Sequence, residues 1–202
     1  GPDWDSDFKG ESVKIYGGFY IGRYETGNLS QTKAVVQKYN TDISNQTWYT
    51  QYKLSKTIGA NSNVITSMIW GCQWDATLRW MQTSTDEKVK KFPTNSASYG
   101  NYDSNTLEYK ESEEGETKTQ TTAKTKIPTG GSETTNINNI YDMAGNVWDW
   151  TMSTYSGSYR LLRGGGYIYP GNAYPTYVYD TWCNPLIVAA DAGSRSTLYI
   201  AL

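Results

Sequence analysis

Histidine is absent from all 202 residues. That removes Ser-His-Asp and Cys-His catalytic arrangements, together with the imidazole ligands on which most catalytic zinc sites depend. Cysteine is scarce. Cys72 and Cys183 stand far apart with no CxxC spacing, so a disulfide between them rests on nothing but their number. Cys72 lies in an apolar run, where cysteine serves as a small packing residue. No basic run occurs and the formal net charge is −2, which argues against nucleic acid as a partner. No apolar segment approaches the roughly 20 residues of a membrane-spanning helix. Hydrophobic residues make up only 37% of the chain, so its eight Trp and eighteen Tyr must supply much of the core. Each brings a large apolar face and a polar tip that needs a partner.

Gly1-Pro2 reads as the remnant of a cleaved tag, and residues 3–202 as one domain of ordinary size. Val13 to Tyr24 alternates loosely and is rich in β-branched and aromatic residues, as in a strand, with Gly17-Gly18 as an interruption or bulge. Ser30 to Tyr39 and Asn61 to Met81 carry helical spacing. In the second, Val64, Met68, Trp74 and Leu78 fall near one face, and Asn61 or Ser62 would cap it. Residues 110–138 are mostly Thr, Lys, Glu, Gly and Ser, which predicts a long exposed loop inserted into the domain.

The most distinctive stretch is Asn139 to Thr151, Asn-Ile-Tyr-Asp-Met-Ala-Gly-Asn-Val-Trp-Asp-Trp-Thr, followed by Arg163-Gly164-Gly165-Gly166. Tyr141, Met143, Val147, Trp148 and Trp150 suit a core, and Gly145-Asn146 suits a turn between strand segments. Arg163 beside a glycine run suits a guanidinium bonded to loop carbonyls. These residues resemble the signature of the formylglycine-generating enzyme (sulfatase-modifying factor) family. Gly18 to Glu25 resembles its opening strand, and Trp70, Trp74, Asp75, Ala76 and Trp80 resemble its Trp-Asp-Ala helix. Gly193-Ser194-Arg195 stands where the family has Gly-Phe-Arg. The resemblance implies an α+β, C-type lectin-like fold with short strands, two helices and much irregular loop, in which Trp148, Trp150, Arg163 and Arg195 are scaffold.

The resemblance also carries two site expectations. Relatives hold calcium around the Gly-Asn-Val-Trp-Glu turn, which makes Asn146 and Asp149 the calcium candidates, with Asp149 one methylene shorter than the family's Glu. The family's oxidases hold copper(I) with two nearby cysteines, as soft thiolates suit that ion. Here Cys183 has Val178 where the partner thiol belongs. The implied enzymatic copper site is thus incomplete, and no cofactor is required.

Composition changes sharply after Arg163: Lys, Glu, Gln and Met, frequent before it, do not occur again. Nearly every residue beyond can be written with a codon ending in a pyrimidine, and Trp182 is the exception that would have to be fixed. This pattern resembles the variable proteins of diversity-generating retroelements, which share the lectin-like fold and have adenines of a C-terminal template rewritten. Gly164–Ala192 would be the variable region, carried between Arg163-Gly-Gly-Gly-Tyr167, Gly171, Pro175, Pro185 and Gly193 to Ile200. Its candidate ligand-binding positions are Ile168, Tyr169, Tyr174, Tyr177, Tyr179, Asp180, Thr181, Cys183, Leu186, Ile187, Val188 and Asp191. Clustered tyrosines there would act as low-entropy contact groups. The expected activity is non-catalytic binding, receptor- or adhesin-like. The partner would be a protein or glycan on a cell or phage-host surface, and the location a cell surface, a secreted form or a phage particle. The alternatives are a copper oxidase and a fixed structural or carbohydrate-binding domain; neither a Glu-Pro-Asn nor a Gln-Pro-Asp triplet supports sugar binding through a lectin calcium site.

Overall fold

The computed structural model describes residues 15, 17–59, 63–121, 124–154 and 159–200, with the side chains of 179–182 outside that description. The tag remnant, the start of the Val13 strand and the Asn61/Ser62 cap therefore lie outside the described residues. Three short strands open the chain: β1 (Tyr20–Ile21), β2 (Thr26–Gly27) and β3 (Val35–Val36). Helix α1 (Trp48–Ser55), strand β4 (Val64–Met68), and helices α2 (Gly71–Gln82) and α3 (Glu87–Lys91) follow. The second half is β: β5 (Leu107–Tyr109), β6 (Lys118–Gln120), β7 (Trp148–Thr154), β8 (Arg160–Arg163), β9 (Tyr179–Cys183), β10 (Ala192–Ser194) and β11 (Ser196–Ile200).

Two sheets organise the domain. One is antiparallel, β1-β11-β4, and places the last strand between the first and β4, with Tyr20 opposite Leu198 and Thr66 opposite Leu198 on its other side. The other runs β10-β7-β8-β9; β10 lies parallel to β7, pairing Ala192 with Trp148, and the remaining pairs are antiparallel. Arg195 sits at the bend between β10 and β11, where the chain passes from one sheet to the other, and is completely buried there.

Two expected helices differ. Residues 30–39 form turns and β3, because the β-branched Val35-Val36 pair with β2 while Leu29 and Ala34 pack against Leu54. Residues 64–68 form a strand: the spacing of four from Val64 to Met68 satisfies a period of two as well as a helical one, and Thr66 and Met68 point inward. The helix begins only after Trp70, whose backbone N–H donates to the Gln73 carboxamide at 2.8 Å, and it buries Trp74, Thr77, Leu78 and Met81. Helices α1 and α3 were not expected from the sequence; α1 is capped by Thr47, whose hydroxyl accepts from Thr50 N–H at 3.2 Å, and α3 by Asp86, whose carboxylate accepts from Lys88 N–H at 2.8 Å. Cys72 and Cys183 are both half-buried and not joined in a disulfide.

The 110–138 stretch also departs from an exposed loop. It is exposed over most of 111–119, but β6 pairs with β5, and Ile127 to Gly130 are buried. The hydroxyl of Thr129 donates to Asp142 at 2.8 Å and accepts from Glu25 N–H at 3.0 Å. Short polar side chains thus bury by satisfying one another, which composition alone does not reveal. Two aromatic cores result. Ile69, Trp74, Leu78, Met81, Phe92, Tyr102 and Met143 form one, and Trp48, Met68, Trp148, Trp150, Leu162 and Ala192 the other.

Candidate binding surface

The turn at 142–146 is built on left-handed backbone: Asp142, Gly145 and Asn146 have φ of 57°, 69° and 61°. A Cβ on Gly145 would stand 2.5 Å from the Asn101 carbonyl oxygen, so only glycine fits. Asn146 is buried and its carboxamide is fully used. Nδ2 donates to Glu25 at 2.7 Å and to the Ile127 carbonyl at 3.2 Å, while Oδ1 accepts from Ile127 N–H at 3.0 Å and Asn101 Nδ2 at 3.1 Å. Asp149 lies 3.5 Å from Arg195 Nε, and the Arg195 guanidinium also donates to the carbonyls of Gly22 and Tyr141 at 2.8 and 2.7 Å.

Glu25, Asp142 and Asp149 are thus three buried carboxyls around one buried guanidinium. Burial pushes all three up from the carboxylate range; Asp149 rises to about 7 against the opposing pull of Arg195, and Glu25 well above its ordinary value with further push from Asp142 and Asp149. This arrangement does not fit the calcium expected at Asn146 and Asp149. The Asn146 oxygen already takes two N–H donors, Asp149 faces a cation, and calcium requires six to eight oxygens. Among the described residues no group of three His, Cys, Asp or Glu could hold a metal ion.

Beyond Arg163 the backbone is held by groups outside the 164–192 segment. The Tyr102 hydroxyl lies 2.8 Å from the Gly164 carbonyl oxygen and 2.9 Å from that of Tyr174. Trp74 Nε1 donates to the Thr176 carbonyl at 2.9 Å, and the Ser96 hydroxyl accepts from Thr176 N–H at 2.8 Å. Asp103 N–H donates to the Tyr169 carbonyl at 3.0 Å, and Trp48 N–H to that of Pro185 at 3.2 Å. Asn45 N–H donates to Ala189, the Ser44 hydroxyl to Ala190 and Trp148 N–H to Asp191, all at carbonyl oxygens. Eight carbonyls of an irregular segment are in this way fixed without using the segment's own side chains.

Those side chains divide into two groups. Ile168, Tyr177, Leu186, Ile187 and Val188 are 50–70% exposed. Tyr169 and Tyr174 are instead half-buried: they pack edge-on against Trp148 at 5.6 and 5.4 Å and against each other at 5.2 Å. Tyr169 also donates its hydroxyl to Asp191 at 3.1 Å, so neither ring is the freely exchangeable contact its position suggested. A cleft of about 150 Å³ brings Tyr169, Cys183, Ile187 and Asp191 together over Trp148 and Trp150. Tyr179, Asp180 and Thr181 lie on β9, where Asp180 pairs with Leu162 and Tyr179 with Arg163, but their side chains are outside the described residues.

The expected scaffold residues are buried: Trp148 and Trp150 in the second core, Arg195 between the sheets and Arg163 on β8. Arg163 differs in partner, for its guanidinium pairs with the Asp75 carboxylate of α2. Sequence reasoning missed Tyr102, Ser96 and Ser44 as anchors, and Asn184 and Ala189 as cleft residues. An anchor that grips a carbonyl leaves no complementary residue type at its partner position, so no pattern announces it.

Sheets that bring both ends of the domain together, three helices where two were expected and a long irregular C-terminal segment define a C-type lectin-like α+β domain. The model of the sulfatase-modifying factor enzyme 1-like domain matches residues 17–198, and the chain belongs to that family. Among solved structures it is similar to the Major Tropism Determinant U1 variant, with a TM-score of 0.54, 14% identity, and coverage of 91% of this chain and 51% of that one. The M1 variant gives 0.53, 15%, 91% and 51%, and Treponema denticola variable protein 1 gives 0.47, 18%, 76% and 69%. At these identities the likeness is one of fold, and the chain spans about half the length of the tropism determinants it matches. No curated protein matches it by sequence.

Proposed function

We propose that this chain is a non-catalytic binding protein whose recognition surface lies between Gly164 and Ala192 and is diversified by a retroelement. The observation that carries the reading is the anchoring of that segment through its carbonyls by Tyr102, Trp74, Asp103, Trp48, Asn45, Ser44 and Trp148. A backbone held from outside keeps its course when its own side chains change. Ile168, Tyr177, Leu186, Ile187 and Val188 project as an exposed apolar set, which is what a recognition surface offers and what a monomer otherwise avoids. Affinity would come from a few such anchors. That one similar fold is known as U1, M1, I1 and P3c variants supports a scaffold compatible with sequence variation.

The partner is a protein or glycan on a cell or phage-host surface, and the chain acts at a cell surface, in secreted form or on a phage particle. No helix among the described residues is long and apolar enough to cross a membrane. The copper-oxidase alternative finds one thiol, Cys183, in the cleft, with Val178 at the expected partner position. A display library randomised at 168, 177 and 186–188 tests the reading. Most members should resist protease as well as the parent does, and binders to different targets should emerge. A library in which most members are cleaved, or stoichiometric copper(I) uptake abolished by Cys183→Ser, would overturn it.

A further inference from the structure

The cleft over Trp148 and Trp150 has a chemistry narrower than the surface around it. Its walls are Leu162, Tyr169, Cys183 and Ile187, and among the described residues its single charged lining residue is Asp191. At about 150 Å³ it has the size of a cavity that accepts a benzene-sized group, which is room for one side chain and too little for an oligosaccharide. Asp191 is half-buried. One of its oxygens accepts the Tyr169 hydroxyl, and among the described residues it makes no ion pair within 4.0 Å.

The neighbouring cations are engaged elsewhere. The Lys126 ammonium donates to the Ser44 hydroxyl, and it senses Asp191 along with Glu25 and Asp42. The Arg160 guanidinium lies over the Trp48 ring at 4.0 Å and donates to the Met152 carbonyl. An apolar side chain entering the cleft would strip water from the Asp191 carboxylate with nothing in return, and an acidic one would meet like charge. A basic side chain meets both demands: its methylenes lie along the aromatic and aliphatic wall while its head reaches the carboxylate.

We propose that this cleft receives one basic side chain of a protein partner, arginine in preference to lysine. A planar guanidinium can stack on Tyr169 while bonding Asp191, whereas an ammonium holds its water more tightly. The inference deepens the binding reading and takes from it only that the partner is a protein. Because Tyr169, Cys183, Ile187 and Asp191 all lie in the segment proposed to vary, the arginine preference belongs to this version of the chain, and replacing Asp191 resets it.

The test is titration with Nα-acetyl-arginine amide, Nα-acetyl-leucine amide and Nα-acetyl-glutamate amide, followed by NMR at the Trp148 and Trp150 indoles and the Ile187 methyls. The arginine amide should give saturable shifts in the range of roughly 1–50 mM, as suits a single side chain. The leucine amide should bind at least about tenfold more weakly and the glutamate amide not at all, a tenfold step being 1.4 kcal/mol. Asp191→Asn should abolish the arginine shifts in a protein whose remaining spectrum is unchanged. Tyr169→Phe, which removes the competing hydroxyl from the carboxylate, should keep or strengthen them. Equal or tighter leucine binding, arginine shifts indifferent to Asp191→Asn, or silence at the cleft for every amide would each overturn the proposal. A failed titration leaves the randomised library to stand or fall separately, so the two failures are distinguishable.

Discussion

Replacing Tyr102 by Phe removes one oxygen from the interior and should loosen the segment from Gly164 to Ala192. The ring is fully buried, and burial holds its hydroxyl well above the ordinary tyrosine range, so it remains a neutral donor. Its single proton is shared between the carbonyls of Gly164 and Tyr174, ten residues apart in the same loop. Phe would keep the packing; the Gly164 carbonyl would retain the Gly145 N–H at 2.9 Å, while the Tyr174 carbonyl would be left without its donor. One unsatisfied acceptor in the interior costs about 1–3 kcal/mol, which sets the expected loss near 2 kcal/mol. In a domain of this size each kcal/mol moves Tm by about 2–4 °C, so Tm should fall by roughly 4–8 °C. The contrast is with Leu186→Ser, Ile187→Ser and Val188→Ser, which lie in solvent and should each stay within about 0.5 kcal/mol of the parent. Urea denaturation at fixed pH measures both sets, with an unchanged slope showing that the cooperative unit is the same. A Tyr102→Phe loss below about 0.5 kcal/mol, or larger losses at 186–188, would refute the view that the segment is held from outside.

Further outcomes follow from the same interior. Stability should fall as pH rises from about 4 to about 7. Asp149 keeps its proton in the fold up to about 7 and in the unfolded chain only to about 4, so its contribution is present at acid pH and lost as pH passes 7. That span corresponds to about 4 kcal/mol at most, and Glu25→Gln should flatten the slope because it removes a carboxyl whose ionisation burial disfavours. Thermal melts across pH 4–8 read both, and stability rising with pH would contradict the sign. Tyr169→Ala should cost about 2–4 kcal/mol by removing its ring contacts with Trp148 and Tyr174, in contrast to the neutral exchange expected of a surface residue; chemical denaturation decides. Gly193→Ala should prevent folding or cost several kcal/mol, since its Cβ would stand 2.2 Å from the Ile43 carbonyl oxygen, and circular dichroism of the purified variant shows it.

What could be read from the sequence was the part written as side-chain identity. The Asn139–Thr151 motif, the buried tryptophans and Arg195 stand where their types implied, because a large aromatic ring and an unusual run of glycines have few alternative uses. Helical boundaries were less legible. Val64 and Met68 satisfy both periodicities, and only pairing with β11 selects the strand. The Val35-Val36 segment was claimed by its partner strand, and α1, with its Trp48–Tyr52 stack at 5.1 Å, lacks a strong apolar face that a pattern would detect. Residues 127–130 are buried by mutual hydrogen bonds among small polar groups, which composition reads as exposure. At the site, exposure of 168, 177 and 186–188 followed from apolar residues in irregular backbone. The half-burial of Tyr169 and Tyr174 did not, because tyrosine serves equally as contact and as packing.

The measurement that bears most directly on the central claim is sequencing of the encoding gene and its neighbourhood across a natural population. Diversification predicts substitutions confined to codons within 164–192 and matched to adenines in a nearby template copy. They should be frequent at Ile168, Tyr177, Leu186, Ile187 and Val188 and absent at Trp182 and Arg163. A uniform sequence over that segment, with no template copy beside it, would contradict diversification and leave a fixed lectin-like binding domain.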